Sequence, residues 1–242
     1  MATQWYQGKV LQIRQLTTSV RQFFIEVHPN ETIFDFLPGQ FITLDLPVSD
    51  KRLNRWRSYS IANHPDGTNI LELCIVQSDE GLGTKYLFHE VVEGTELKFK
   101  GPDGGFVLPG NLQTELVFIC TGTGIAPFRS MINKVIKNDM SFKKIHLIFG
   151  CRTASDILYK DEFQKIVEEK TNFKYDVALS RDDHPDFHHG YIHDIYLKQY
   201  AEVSPDRQFY LCGWSSMIDE AVVNLIIKMG YDKSQIHYEL YG

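Results

Sequence analysis

The sequence has few cysteines, and none of them is spaced as metal ligands are. The four are Cys74, Cys120, Cys151 and Cys212. No two of them form a CxxC or similar arrangement, so the sequence predicts neither an iron–sulfur cluster nor a structural zinc site. Each cysteine lies in or at the end of an apolar run, which is typical of reduced thiols in a cytoplasmic protein.

Three further features are missing, and each absence argues against a class of protein. The chain has no run of about 18 uninterrupted apolar residues, so no membrane span is predicted. Its formal net charge of −6 lacks the basic excess that a nucleic-acid-binding protein needs. The N-terminus, MATQWYQGKVLQIRQL, alternates like a strand and lacks the apolar core of a signal peptide. We therefore expect a cytoplasmic protein with no nucleic-acid partner.

One histidine-rich stretch, DDHPDFHHGYIHD, raises the question of a metal site. His189 and His193 have the i, i+4 spacing of helical ligands, but Gly190 stands between them and nothing else in the stretch supplies a zinc site. We expect a solvated loop here and no metal site in the chain.

The sequence changes character near residue 110. Before that point, short alternating segments such as QFITLDL are separated by turn signals such as Leu37-Pro38-Gly39, a pattern typical of an antiparallel Greek-key β-barrel. After it, apolar runs alternate with helical periodicity, which predicts a Rossmann-like α/β domain with a five-stranded parallel sheet. We therefore expect a barrel domain over residues 1–110 and an α/β domain over residues 111–242.

Small, polar and basic residues follow the apolar runs of the second half. Ligands bind at the edge formed by the carboxyl ends of parallel strands, so these residues predict a nucleotide site. The first run ends in a glycine turn, and Pro127 is expected at the first position of the following helix, where N–H groups can meet a phosphate. The set is Thr121, Gly122, Thr123, Gly124, Pro127, Arg152, Ser180, Arg181, Cys212, Gly213, Glu239 and Tyr241.

A second set of anion-binding residues lies in the first half. In NRWRSYSIAN, strand alternation points Arg57 and Tyr59 to one face, where a guanidinium suits a diphosphate and an aromatic ring suits a flat heterocycle. The hydroxyl of Ser60 can donate to or accept from a ring nitrogen. Further on, Gly83 and the hydroxyl of Thr84 stand at the start of a helix whose free N–H groups suit another anion. A diphosphate site in each half predicts two dinucleotides.

Taken in order, these motifs resemble those of the plant-type ferredoxin–NADP(H) reductases over nearly the whole chain. The resemblance implies an FAD-binding barrel, an NAD(P)-binding α/β domain, hydride transfer between NADPH and flavin N5, and single-electron transfer to a separate ferredoxin or flavodoxin. The matching segments are Arg57-Ser58-Tyr59-Ser60, Gly83-Thr84, Gly101-Pro102-Asp103-Gly104-Gly105-Phe106, Gly122-Thr123-Gly124-Ile125-Ala126-Pro127, Cys212-Gly213 and Glu239-Leu240-Tyr241.

The resemblance also implies which residues bind the cofactors. Arg57 and the Gly83-Thr84 turn would meet the FAD diphosphate, and Tyr59 would lie against the isoalloxazine. The segment 122–127 would bind the nicotinamide dinucleotide.

Four residues are implied to be catalytic. Ser60 would lie near flavin N5, and Cys212 would lie beside the reacting nicotinamide carbon. Glu239 would connect the site to protons, and Tyr241 would cover the flavin.

The choice between NADPH and NADH turns on charge after the third strand of the α/β domain. Ser180-Arg181 is similar to the pair that grips the 2′-phosphate in NADPH-using members of the family, and Arg152 would assist. Asp182 and Asp183 follow at once and could instead meet a ribose diol, as in NADH users. We expect NADP, with NAD as the less favoured alternative.

Other functions stay open at this point. One is an NAD(P)H-flavin reductase that treats flavin as a substrate, although such relatives tend to lack the tyrosine of the flavin motif and the aromatic ending. Another is the reductase component of a multicomponent oxygenase, and a third is a flavin-free regulatory module. The basic run KRLNRWR, residues 51–57, would either dock an acidic ferredoxin or flavodoxin, or be solvated apart from Arg57.

Overall fold

The computed structural model describes residues 4–28 and 33–241; residues 1–3, at the start of the strand-like N-terminus, lie outside the described part. The chain divides into two compact units. The first unit lies within residues 1–108 and 126–134, and the second lies within residues 109–125 and 135–242. In the described part, no helix has both the length and the apolar character needed to cross a membrane.

Six antiparallel strands, two short helices and residues 126–134 make up the regular structure of the first unit's described part. The strands are β1 (Trp5–Gln15), β2 (Val20–Val27), β3 (Phe41–Asp45), β4 (Trp56–Ser60), β5 (Ile70–Val76) and β6 (Glu96–Asp103), and the helices are α1 (Arg52–Arg55) and α2 (Leu82–His89). Their order is β4-β3-β6-β1-β2-β5, so β6 is inserted between β3 and β1. A bridge between Ile61 and Leu73 joins the two ends of this order. The predicted Greek-key barrel is confirmed.

The alternation of side chains along each strand determines which residues form the barrel core. Phe23 and Ile25 of β2 are fully buried, whereas Phe24 between them is only half-buried. Ile42 and Leu44 of β3 point to the same interior, because side chains two residues apart share a face. Phe99 of β6 fills the space between them in the same core cluster.

A parallel sheet with helices forms the second unit. Its strands are β7 (Glu115–Thr121), β8 (Lys144–Cys151), β9 (Phe173–Leu179), β10 (His188–His189), β11 (Arg207–Trp214) and β12 (Ile236–Tyr241). The helices are α3 (Ile125–Lys137), α4 (Lys160–Glu169), α5 (Ile192–Gln199) and α6 (Ser215–Val223), and a π-helical turn over Asn224–Lys228 extends α6. The strand order is β10-β9-β8-β7-β11-β12. The Rossmann-like parallel sheet is confirmed, with a sixth, two-residue strand in addition to the five predicted.

The sixth strand corrects part of the prediction for the histidine-rich stretch. His188 and His189 are exposed, as expected, but they pair with Ala178 and Leu179 of β9. His193 is not in a loop: it is buried in α5, where its Nδ1 lies 2.8 Å from the hydroxyl of Tyr196. The loop is shorter than expected because the strand and the helix take up its second half. No cluster of metal-ligating side chains occurs in residues 4–28 and 33–241.

Helix α3 begins two residues earlier than predicted. A single 3₁₀ turn over Gly122–Gly124 leads into Ile125, so Pro127 is the third helical residue rather than the first. Proline is tolerated there because the N–H groups of the whole first turn lack an acceptor within the helix. Residues 126–134 of this helix belong to the first unit, within which Arg129 pairs with Glu72 at 2.6 Å.

Candidate functional site

Arg57 and Gly83 form a close-packed cradle in the first unit. Arg57 lies in β4 and Gly83 in the first turn of α2. A Cβ atom at Gly83 would lie 3.0 Å from Cγ of Arg57 and 3.5 Å from its Nε. A larger residue at position 83 would therefore crowd the Arg57 side chain and push the helix backbone away from it. The fold brings together the two features that the sequence predicted for a diphosphate.

The Arg57 guanidinium is fixed on one side. Its Nη1 donates to the backbone oxygens of Leu53 at 2.9 Å and Trp56 at 2.7 Å. Within the described residues, Nε and Nη2 have no acceptor. A charged fork held on one side and open on the other fits an anionic ligand such as a diphosphate.

Thr84 contributes to this cradle differently from the expectation. Its hydroxyl accepts from the backbone N–H of Ser78 at 3.1 Å and lies 3.1 Å from the Gly81 oxygen. The hydroxyl therefore closes the loop that precedes α2. An anion would meet the N–H groups of the first helical turn, which have no acceptor within the helix.

Tyr59 and Ser60 follow Arg57 along β4. The pairing of Arg57 with Leu44 and of Tyr59 with Ile42 puts both side chains on one face, as alternation predicted. Burial raises the pKa of the Tyr59 hydroxyl well above its usual range, although Arg57 lowers it, so the ring stays neutral. Ser60 is buried at the end of the strand.

In the second unit, the carboxyl ends of β7 and β11 form the point where the sheet order reverses. The chain proceeds from β7 through β8 and β9 in one direction and then returns to β11 on the other side of β7. In open parallel sheets, ligands bind in the crevice at such a switch point. Both turns that the sequence predicted for a nucleotide, 121–124 and 212–213, lie at this position.

The two turns pack backbone to backbone. A Cβ atom at Gly124 would lie 2.4 Å from the carbonyl oxygen of Cys212. Gly213 has φ of +146°, and a Cβ atom there would lie 2.5 Å from Oγ1 of Thr121. Both positions therefore require glycine. At Gly124 a side chain has no room, and at Gly213 both the space and the backbone conformation exclude a side chain.

Thr121 adds a polar atom without a partner. Its Oγ1 is buried and has no hydrogen-bond partner within the described residues. A buried hydroxyl left unpaired is unfavourable, and a ligand at the switch point would satisfy it. Thr123 and Gly122, in the turn itself, are only half-buried, and Gly122 takes a left-handed φ of +54°. These residues fit a nucleotide phosphate.

Cys212, Glu239 and Tyr241 converge at the same edge. Cys212 pairs with Glu239 on the neighbouring strand, and Trp214 pairs with Tyr241. Burial raises the pKa of the Cys212 thiol, the Glu239 carboxylate raises it further, and a hydrogen bond from Tyr241 lowers it. The net effect is a pKa well above the usual range, so the thiol is neutral. The three residues predicted as catalytic in this unit are neighbours, whereas Ser60 belongs to the first unit.

Sequence reasoning missed Cys120 as a neighbour of Cys212. The two cysteines pair across β7 and β11, and both are fully buried. Their positions at the ends of their apolar runs were the available signal, because strands that share an edge place their last residues side by side.

The loops after β8 and β9 are joined by backbone hydrogen bonds. The N–H of Arg181 donates to the oxygen of Arg152 at 2.8 Å, and the N–H of Ser180 donates to the oxygen of Cys151 at 3.0 Å. Both arginines are exposed. Asp182 is already engaged, since its carboxylate accepts from the N–H of Ala154 at 3.0 Å. Arg152 and Arg181 are therefore neighbours at the edge of the sheet, next to the Asp182 carboxylate, which already accepts a hydrogen bond.

Two family profiles match the chain. The profile of the oxidoreductase FAD-binding domain matches residues 7–108, and the profile of the oxidoreductase NAD-binding domain matches residues 118–222. The first match falls on the barrel strands, and the second covers the sheet from β7 into α6.

Individual proteins resemble the chain over nearly its whole length. Ferredoxin–NADP reductase B of Sorangium cellulosum is 27% identical over 98% of this chain and 97% of its own length. The phenol hydroxylase P5 protein of Acinetobacter pittii is 27% identical over 97% of this chain but only 65% of its own length. The crystal structure of the Amycolatopsis cytochrome P450 reductase GcoB has a TM-score of 0.87 at 25% identity, over 98% of this chain and 69% of its own.

Proposed function

The chain belongs to the ferredoxin reductase-type family of FAD-binding and NAD-binding oxidoreductases, and on that premise we propose that it transfers hydride from NADPH to FAD and passes the electrons singly to a separate ferredoxin or flavodoxin. The row formed by Cys212, Glu239 and Tyr241 at the switch point carries this proposal. Residues 1–110 form the proposed FAD domain, and residues 111–242 form the proposed nucleotide domain.

The proposed FAD site is the cradle between β4 and α2. Arg57 would hold the diphosphate with its open guanidinium nitrogens, and the first turn of α2 at Gly83 and Thr84 would offer N–H groups. Tyr59, neutral and on the same face as Arg57, would lie against the isoalloxazine. FAD, when bound, supplies a centre that accepts a hydride and releases electrons one at a time.

The proposed nucleotide site is the edge of the parallel sheet. The turn 121–124 would bind the dinucleotide phosphates through backbone N–H groups and the unpaired hydroxyl of Thr121. Cys212 would pack beside the reacting nicotinamide as a neutral thiol, since a thiolate would add charge next to Glu239. Glu239 would hold the exchangeable proton of the site, and Tyr241 would restrict access to it.

NADP is the proposed nicotinamide cofactor. Arg152 and Arg181 supply two adjacent exposed cations, which suit a 2′-phosphate. The involvement of Asp182 with Ala154 leaves it less free to accept from a ribose diol.

The test is an anaerobic titration of the purified protein. We expect a flavin absorbance spectrum and release of FAD rather than FMN on denaturation. We also expect NADPH to bleach the flavin absorbance at a lower concentration than NADH does. Extraction of FMN, or preference for NADH, would contradict the cofactor assignments.

A reductase component of an oxygenase system is the second candidate. Similarity to a phenol hydroxylase P5 protein and to a cytochrome P450 reductase favours it. The two candidates share the steps up to reduced flavin and differ in the protein that receives the electrons, so rates with different carrier proteins separate them.

A further inference from the structure

Strand β12 is an open edge of the parallel sheet. It pairs with β11 on one side, and no other described strand pairs with its outer side. An edge of this kind presents a row of backbone N–H and C=O groups to which another strand can add. Because β12 has six residues, this row has the length of an ordinary strand pairing.

The other sheet edges in the described part of the chain are protected. Strand β10, at the opposite edge of the same sheet, has only two residues, and both are exposed histidines. In the barrel, the bridge between Ile61 and Leu73 joins the two ends of the strand order. Short strands, edge lysines or prolines, bulges and barrel closure all prevent unwanted pairing. β12 contains neither Lys nor Pro, and its pairing with β11 has no shift in register.

The apolar side chains of β12 are only partly covered. Residues 236, 238 and 240 share one face of the strand, because side chains alternate. Ile236 is buried, but Tyr238 is 50% exposed and Leu240 is 52% exposed. Large apolar side chains along an open strand edge favour pairing with a further strand.

The sequence of β12 complements itself when two copies run antiparallel. If the register is centred on Tyr238, this residue lies opposite its own copy, and Ile236 lies opposite Leu240. On the other face, His237 lies opposite Glu239, so a carboxylate meets a ring that can carry a positive charge. Cross-strand pairs of apolar residues and of opposite charges both stabilise an antiparallel sheet.

The neighbouring registers fit less well. Centring the pair on Glu239 would place two carboxylates directly opposite each other, which is destabilising. Centring it on His237 would place Glu239 opposite Gln235, a buried and uncharged residue. The register centred on Tyr238 is therefore the one that the side chains favour.

We propose that β12 is a dimerisation strand, through which two copies of this chain pair antiparallel and join their parallel sheets into one. A two-fold axis through the Tyr238 pair closes the assembly, because each copy contributes the same edge. A single six-residue edge is a small contact, so association should depend on protein concentration. A strand of another protein could add to the same edge, but the register described above is a property of two identical strands.

The first test is sedimentation equilibrium of the full chain over a range of concentrations. Tyr238→Lys would place two lysines opposite each other at the centre of the pair, and lysine is a residue with which proteins block strand edges. The matched control is Val203→Lys, which adds the same charge at an equally exposed apolar position in a loop. We expect dimers of the unaltered protein and of the control, and a dimer dissociation constant about tenfold higher for Tyr238→Lys.

The second test determines the register by crosslinking. Tyr238→Cys would face its own copy, whereas two copies of Leu240→Cys would be separated by four residues along the strands, about 13 Å. A short bismaleimide should therefore join Tyr238→Cys into covalent dimers and leave Leu240→Cys, at an equally exposed position, largely monomeric. The unaltered protein, with its own four cysteines, gives the background.

Three outcomes would overturn the proposal. One is a monomer at every concentration. Another is a dimer in which Tyr238→Lys associates as tightly as the unaltered protein, because the interface would then lie elsewhere. The third is equal crosslinking of the two cysteine variants, which would exclude a two-fold axis at Tyr238. Circular dichroism of each variant checks that the half-exposed positions tolerate the changes.

Discussion

The two units differ in the kind of anion-binding site that they offer. In the barrel, a charged side chain, Arg57, lies against the glycine of a helix start. In the parallel-sheet unit, the turn 122–124 has no charged side chain, and two glycine positions let backbone pack on backbone. The barrel site should therefore be sensitive to loss of charge, and the sheet site to added volume.

The largest effect is expected from Gly124→Ala. The new methyl group would lie 2.4 Å from the Cys212 oxygen, and backbone must move because no flexible side chain can yield. Overpacking of this kind lowers the free energy of unfolding by about 3 kcal/mol. Urea denaturation measures it. Gly110→Ala is the control, since nothing lies within 4 Å of its added Cβ. Equal stability of the two variants would refute the volume argument.

Arg57→Ala tests the barrel side of the contrast. Each charge-assisted hydrogen bond to a diphosphate contributes about 1.5–3 kcal/mol, so FAD affinity should fall by roughly tenfold to a hundredfold. Arg57→Lys keeps the charge but loses the planar fork and should lie in between. Fluorescence titration of the apoprotein with FAD measures this. The control variant Arg14→Ala, which removes an exposed barrel arginine, should bind FAD as tightly as the unaltered protein does.

The parallel-sheet unit should also be the more sensitive to acid. His146 is fully buried, with Nε2 3.1 Å from Asp176 and Nδ1 2.6 Å from the Tyr200 hydroxyl. Burial lowers the pKa of His146, although Asp176 raises it. Burial alone would raise the pKa of the Asp176 carboxyl, but hydrogen bonds from His146, Lys174 and Gln199 bring it well below its usual range.

Both depressed pKa values have the same sign of effect on stability. A group with a lower pKa in the folded state stabilises it above the unfolded pKa and loses that contribution as the pH falls. For His146 the loss begins near pH 6.5, and for Asp176 near pH 4, the ordinary values of the two groups. The free energy of unfolding should fall across this range. In His146→Gln the slope near pH 6 should become shallower, and the rest should persist because burial also lowers the pKa values of His193 and His237. His89→Gln, at an exposed barrel position, should leave the slope unchanged.

Most elements of the parallel-sheet unit were predictable from the sequence to within about two residues, because burial imposes period two or period 3.6. The helix expected to start at Pro127, for example, is observed to start at Ile125. The start of α3 was misplaced because proline is tolerated anywhere in a first turn. Strand β10 was missed because two residues carry no periodic signal.

The candidate site residues were predictable where they follow the carboxyl ends of parallel strands, because these ends lie at one edge of the sheet. Gly213 and Tyr241 could be grouped in this way, since the rule needs only the order of elements along the chain. The open edge at β12 could not be predicted in this way, because it depends on which strands pair with one another. The role of the Thr84 hydroxyl was also hidden, since its partner Ser78 lies in a loop with no regular pattern.

Arg181→Ala tests whether a charged side chain also contributes to nucleotide binding in the sheet unit, away from the glycine turn. Loss of one phosphate contact should raise the KM for NADPH by about tenfold and leave that for NADH nearly unchanged. Lys198→Ala, an exposed cation on α5, is the control. Equal effects on both nucleotides would show that Arg181 does not read the 2′-phosphate.

The smallest effect concerns Tyr241, where the side chain at the edge, rather than the backbone, is expected to control binding. An aromatic ring stacked on the flavin contributes about 0.5–1.5 kcal/mol beyond burial, and a nicotinamide must displace it to react. Tyr241→Ser should therefore tighten nucleotide binding and slow product release. It should also narrow the preference for NADPH over NADH, because the nucleotide with more anchoring at Arg181 is the one better able to displace the ring.

The hydrogen bond between Tyr241 and Cys212 allows this role to be separated from packing. Tyr241→Phe keeps the ring and removes the hydroxyl, so it should keep the nucleotide preference while the pKa of the Cys212 thiol rises further. If the ring only packs against the sheet, Tyr241→Ser will lower stability and leave the ratio of kcat/KM values for the two nucleotides unchanged. That ratio, measured in all three proteins together with the flavin spectrum during NADP⁺ titration, distinguishes a gate from a packing residue.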